Sequence, residues 1–208
     1  DTQTVLREWA AASSVDVKVV FEPRGGLSAA RNRGIDTARG EVLAFVDDDC
    51  LVDDGWLEGN LAAHTADSPP DLVGGRVDLW DDADARMSIR PFDDALEIRD
   101  FRGICARLIG CNFSVRAQAL RRIRLFDERL GAGTASGSAE DLDVFYRLLK
   151  AGCRLRFDPG VRVYHAHGRR EPREIEALGR RYVRGRGAMY AKHAMKGDAT
   201  MLAHFLSE

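Results

Sequence analysis

No apolar run in the 208 residues approaches the ~20 that a membrane-spanning helix needs, and the first residues carry no signal-peptide pattern. Neither sign of charge dominates. The 31 basic side chains face 33 acidic ones, which excludes polyanion binding through bulk positive charge and argues for no nucleic-acid partner. Any polyanion must then be gripped locally. Cysteine is sparse and scattered, at Cys50, Cys105, Cys111 and Cys153 with no C-x-x-C pair. Neither a zinc site nor a disulfide framework is indicated, and free thiols in a reducing cytoplasm are the expectation. Internal repeats and low-complexity tracts are absent too. What remains is 45% hydrophobic, enough to bury the core of one domain.

The order of elements predicts an α/β fold. Val5, Leu6 and Trp9 stand at helical spacing behind a capping Asp1. The β-branched run "VDVKVVFEP" predicts a strand stopped by Pro23. In "RGGLSAARNRGIDTARG" the glycines turn the chain, Ser28 caps, and a helix runs over 29–37. "EVLAFV" has the continuous apolar character of a strand covered on both faces. This rhythm implies βαβ units and a mostly parallel central sheet flanked by helices. A helix over 53–66 should bury Trp56, Leu57 and Leu61; "PPDLVGGRVDLW" and "LIGCNFSVR" follow as strands, with the irregular 81–102 between them. After a helix in "RAQALRRI" and the glycine-rich "LGAGTASGSAED", Leu142, Phe145, Leu148 and Leu149 form the core face of another helix. "CRLRFDPGVRVYHAH" closes the sheet, and a basic helical tail starts near Pro172.

Three adjacent carboxylates, Asp47, Asp48 and Asp49, end the apolar "FV" strand. Open α/β sheets bind ligands beyond the carboxyl ends of their strands. Residues two apart in an extended chain point the same way, so Asp47 and Asp49 converge while Asp48 turns elsewhere. Such oxygen ligands suit Mg2+ or Mn2+ held together with substrate phosphates; the plainer reading is a solvated acidic turn. Glu140 and Asp141 form a second acidic site. Ser138 and Asp141 match a capping box, yet a carboxylate at a helix start beside a loop is also placed to deprotonate a substrate hydroxyl. His165 and His167 lie two apart at a strand end, where a neutral imidazole at His165 completes a metal site. His64, His193 and His204 have no comparable setting and read as surface residues.

Taken together, "GGLSAARNRGIDTARGEVLAFVDDDC", "IGCNFSVRAQALRRIRLFDERLGAGT" and "AEDLDVFYRLLKAGCRLRFDPGVRVYHAH", in that order, resemble a family 2 glycosyltransferase of the GT-A fold over about residues 17–168. That likeness implies an inverting transfer of sugar from a nucleotide diphosphate donor to an acceptor hydroxyl. It implies Asp47 near the donor ribose, with Asp48 beside it, and Asp49 on a Mn2+ or Mg2+ that bridges the diphosphate. Arg31 resembles the arginine that helps hold base or phosphates. Asp141 matches the general base, Glu140 its neighbour, and His165 a late histidine at the metal or diphosphate. Family members open with a strand, a helix and a strand of the nucleotide pocket. This chain starts near the end of that section, so exposed apolar surface is expected there.

The resulting division is a transferase unit over 1–168 and a basic helical extension over 169–208. The acceptor is a saccharide, a lipid-linked molecule or a small molecule. The arginines of the tail suit peripheral contact at the inner face of the membrane, or equally a solvated face or a homo-oligomer contact. A nucleotidyltransferase also holds nucleotides with carboxylates and metal at strand ends. A catalytically inactive nucleotide-sugar-binding remnant is the non-enzymatic alternative.

Overall fold

The computed structural model describes residues 1–207. Six strands form one sheet: β1 (Val42–Val46), β2 (Cys50–Val52), β3 (Leu72–Leu79), β4 (Leu96–Ile98), β5 (Asn112–Arg116) and β6 (Leu155–His165). Their order is β1-β5-β3-β6-β2, with β4 also paired to β6. The helices are α1 (Thr2–Ala12), α2 (Leu27–Thr37), α3 (Trp56–Thr65), α4 (Phe101–Arg107), α5 (Ala117–Arg122), α6 (Glu140–Lys150), α7 (Pro172–Ala194) and α8 (Ala199–Ser207).

The sheet is mixed, which corrects the mostly parallel expectation. Only β3 and β6 pair in parallel among the described residues; β5 runs antiparallel between β1 and β3. β1 is therefore an edge strand, and Val46 stays exposed where two-sided cover was expected. The core sits against the middle strands, where Leu72, Phe113, Val115, Leu155 and Phe157 are buried with Phe145 and Leu148 of α6. Phe113 stacks on Phe45 at 4.5 Å and meets Phe145 edge-on at 5.1 Å, the offset geometries that aromatic rings favour. Leu142 and Leu149, expected beside them, are only half-buried at its margin.

Residues 15–23 form no strand: they have no ladder partner, and Val15 and Phe21 are exposed. Asp1 does cap α1, accepting from Thr4 N at 2.8 Å, but α1 buries no residue. In α3, Leu57 and Leu61 face outward at 68% and 64% exposure, while Asn60, Ala63 and His64 face in. The buried His64 Nε2 meets Ser114 Oγ at 2.8 Å, so His64 is no surface residue. His193 is also buried, against Asp143. The irregular 81–102 holds β4 and leads into α4, which Asp100 caps.

β3 and β6 lose register between Gly75 and Arg76. The buried Asn112 side chain fills the gap, donating to Arg76 O at 3.0 Å and Val161 O at 2.9 Å and accepting from Trp56 Nε1 at 3.0 Å. Such bulges commonly sit beside functional sites. Met189 and Tyr190 of α7 join the main core. Among the described residues no helix is long and apolar enough to cross a membrane.

Candidate active site

Asp47, Asp49, Glu140, Asp141, Arg31 and His165 line one cavity of about 560 Å3. The two acidic clusters, far apart in sequence, thus share a wall. The strand ends carry the first: β1 stops at Val46, and Cys50 N donates back to Asp47 O at 3.1 Å to close the turn. Asp48 is exposed and is not on the cavity wall.

Arg31 ties the clusters together. Its guanidinium donates to Glu140 Oε1 at 3.0 Å, to Asp47 Oδ1 at 3.0 Å and to the Gly110 carbonyl at 2.8 Å, and the residue is only 8% exposed. Both terminal nitrogens are thereby committed to protein acceptors. A buried guanidinium paired in this way is the charge that lets adjacent carboxylates coexist. Burial raises the Asp47 carboxyl and Arg31 only partly offsets it. Burial, with the charge of Asp141, pushes Glu140 up to about 7 against the pull of Arg31.

The start of α6 is not a capping box. Its N-cap is Ala139, in the left-handed region at φ 74°, and no side chain caps it. Ser138 Oγ instead donates to Arg181 O of α7 at 3.1 Å. The residue before Glu140 and Asp141 is therefore held in a conformation that favours glycine, as strained backbone near sites often is. Glu140, Asp141 and Asp143 in the first turn complement the helix dipole. Asp141 takes its own Leu142 N at 2.8 Å and packs against Gly110, where a Cβ would stand 2.8 Å from its Oδ2. The preceding loop is anchored to α2: Leu27 N donates to Ala132 O at 2.9 Å and Ser28 Oγ to Leu130 O at 2.6 Å. Ser28 is thus no cap; α2 begins at Leu27 behind Gly26.

In the first cluster, His165 Nε2 lies 3.3 Å from Asp49 Oδ1, and His165 Nδ1 lies 3.1 Å from the Ser88 carbonyl. His167 does not join them: its ring is spent on the Ala85 carbonyl and on Arg169 N. Sequence reading missed several neighbours. Cys50 sits directly across the β2–β6 ladder from His165, beside the buried Cys111, whose thiol is pushed up by the Cys50 contact and by burial. Arg169 reaches within 3.9 Å of Asp49 Oδ2. Arg90, from the irregular stretch, donates to Ile89 O and Cys105 O, and burial pushes its pKa down while Asp141 pulls it back. Only strand register and loop path bring these residues in; no local motif signals them.

The model for Glycosyl transferase family 2 matches residues 1–130. The pre-mycofactocin glycosyltransferase of Mycobacterium tuberculosis is 30% identical over 164 residues, taking in 73% of this chain and 33% of that protein. S. aureus TarS superposes with TM-score 0.64 at 18% identity, over 99% of this chain and 35% of that one. The mannosyltransferase PcManGT of Pyrobaculum calidifontis, solved with GDP-Man and Mn2+, gives TM-score 0.62 at 18% identity over 93% and 51%. The chain spans between about a third and a half of the length of these proteins. The structural likeness bears on the fold, which is GT-A-like, and the sequence match covers well over half of the chain. By the sequence match, the chain belongs to glycosyl transferase family 2.

Proposed function

We propose that this chain transfers a sugar, with inversion, from a nucleotide diphosphate donor to an acceptor hydroxyl. The observation that carries the reading is the shared cavity, whose wall includes Asp49 and His165 together with Asp141. Inversion requires a base on the face opposite the leaving group, and two separated acidic sites meet that requirement. Asp141 is the base: it lines the cavity, whereas the Glu140 carboxylate is held by Arg31. Glu140 and Arg31 position the start of α6 relative to Asp47.

Asp49 and His165 fit a divalent cation. The Ser88 carbonyl only accepts, so the ring nitrogen facing it carries the proton. That leaves Nε2 facing Asp49 Oδ1 at 3.3 Å, a ring nitrogen and a carboxylate oxygen placed to share one cation. A bound divalent cation supplies Lewis-acid charge for the departing diphosphate. That PcManGT was solved with GDP-Man and Mn2+ supports the same choice.

Release of nucleoside diphosphate from a panel of UDP- and GDP-sugars, with and without Mn2+, tests the reading. Metal-dependent release that falls by about 10^2–10^4 in Asp141→Asn, with donor binding retained, is expected for loss of a general base. Pyrophosphate as the product points to nucleotidyl transfer, and donor binding without turnover to a binding module.

A further inference from the structure

Among the described residues, one group of ligating side chains converges on a common point: Asp49, Cys50 and His165, whose ligand atoms all lie within 4.8 Å of one another. Cys50 and His165 are cross-strand partners, so their side chains stand on the same face of the sheet. Asp49 Oδ1 is 3.3 Å from His165 Nε2 and 3.9 Å from Cys50 Sγ. Arg169 approaches the other oxygen, Oδ2, and leaves Oδ1 to this group. The Ser88 carbonyl fixes the imidazole from behind, as outer partners of metal-bound histidines do.

We propose that Cys50 is a third ligand of this site, which makes it an oxygen-sulfur-nitrogen set that takes Zn2+ or Co2+ in preference to Mg2+. The inference rests on the reading of Asp49 and His165 as cation ligands. Thiolate and imidazole favour softer, later transition metals, and Mg2+ favours oxygen. The spacing allows it: Asp49 Oδ1 stands 3.3 Å from His165 Nε2 and 3.9 Å from Cys50 Sγ, within reach of one ion bonded at about 2.1–2.3 Å. Three protein ligands leave a fourth position open for a diphosphate oxygen. On binding, the Cys50 thiol proton passes to solvent.

The test is titration of the full chain with Co2+, followed by absorption. A sulfur-to-cobalt charge-transfer band is expected, bleached by Zn2+ and unaffected by excess Mg2+. Cys50→Ser, checked for native fold by circular dichroism, should lose the band and weaken Zn2+ by more than about tenfold in chelator competition. Bound Co2+ without the band, or Cys50→Ser that keeps band and affinity, overturns the role of Cys50 and leaves the Asp49–His165 site standing. Failure of wild type to bind Mn2+, Co2+ and Zn2+ alike overturns the cation site itself.

Discussion

Arg31 is the residue on which the candidate site turns, because one guanidinium answers both acidic clusters. The protonation of Glu140 follows from that confinement. Its folded pKa of about 7 lies above its ordinary 4.5, so the folded state keeps a proton that the unfolded chain gives up between those values. Stability therefore falls as pH rises through that window. Glu140→Gln should flatten the fall: from pH 5 to pH 7.5, urea unfolding should show wild type losing on the order of 1–3 kcal/mol more than the variant. An equal loss in both proteins would show that Glu140 is ionised throughout. Asp47, Asp49, Glu140, Asp141 and His165 were legible in the sequence because each sits at the end of a strongly patterned element. Arg90, Arg169 and Cys50 were not, since cross-strand pairing and the course of 81–102 decide what they face.

Among the elements, β3 carries the tightest constraint. A Cβ on Gly75 would stand 2.1 Å from Val161 O and 2.2 Å from Asn112 Nδ2, both rigidly held at the register shift. Gly75→Ala is expected to cost about 2 kcal/mol or more, by displacing a buried amide and its carbonyl partners, and to lower the thermal midpoint accordingly. A midpoint within error of wild type would mean that the bulge is pliable. Helix α3 shows why its inward face was misread. Gly59 lies so close to Gly160 that a Cβ would be 2.5 Å from its carbonyl, and His64 bonds Ser114, so the small and polar side faces in. Leucine spacing had pointed the other way. Residues 15–23 likewise show that a β-branched run becomes a strand only where a neighbour offers a ladder.

For the whole molecule, Asp143 is the tie between the sheet domain and the C-terminal helices. It is fully buried on α6 and accepts from Arg147 at 2.7 Å, Lys192 at 2.7 Å and His193 at 2.8 Å. Burial raises its pKa, but His193, Arg147 and Lys192 more than offset that and leave it lowered. Its stabilisation is present above about pH 3.8 and is lost as pH falls through the lower folded value. Asp143→Ala removes the carboxylate of Arg147 and one of the two carboxylates of Lys192, which keeps Asp127, and a loss of about 1–3 kcal/mol is expected at neutral pH, with faster hydrogen exchange along α7. Unchanged exchange there would place the anchor elsewhere. The docking reaches further than stability. Gly185 of α7 lies against the Ser138 backbone, where a Cβ would meet it at 2.7 Å, and Arg181 O holds Ser138 Oγ. The turn that aims Asp141 thus leans on a late helix as a door leans on its jamb, and any force that shifts that helix is transmitted to the aim of the proposed base.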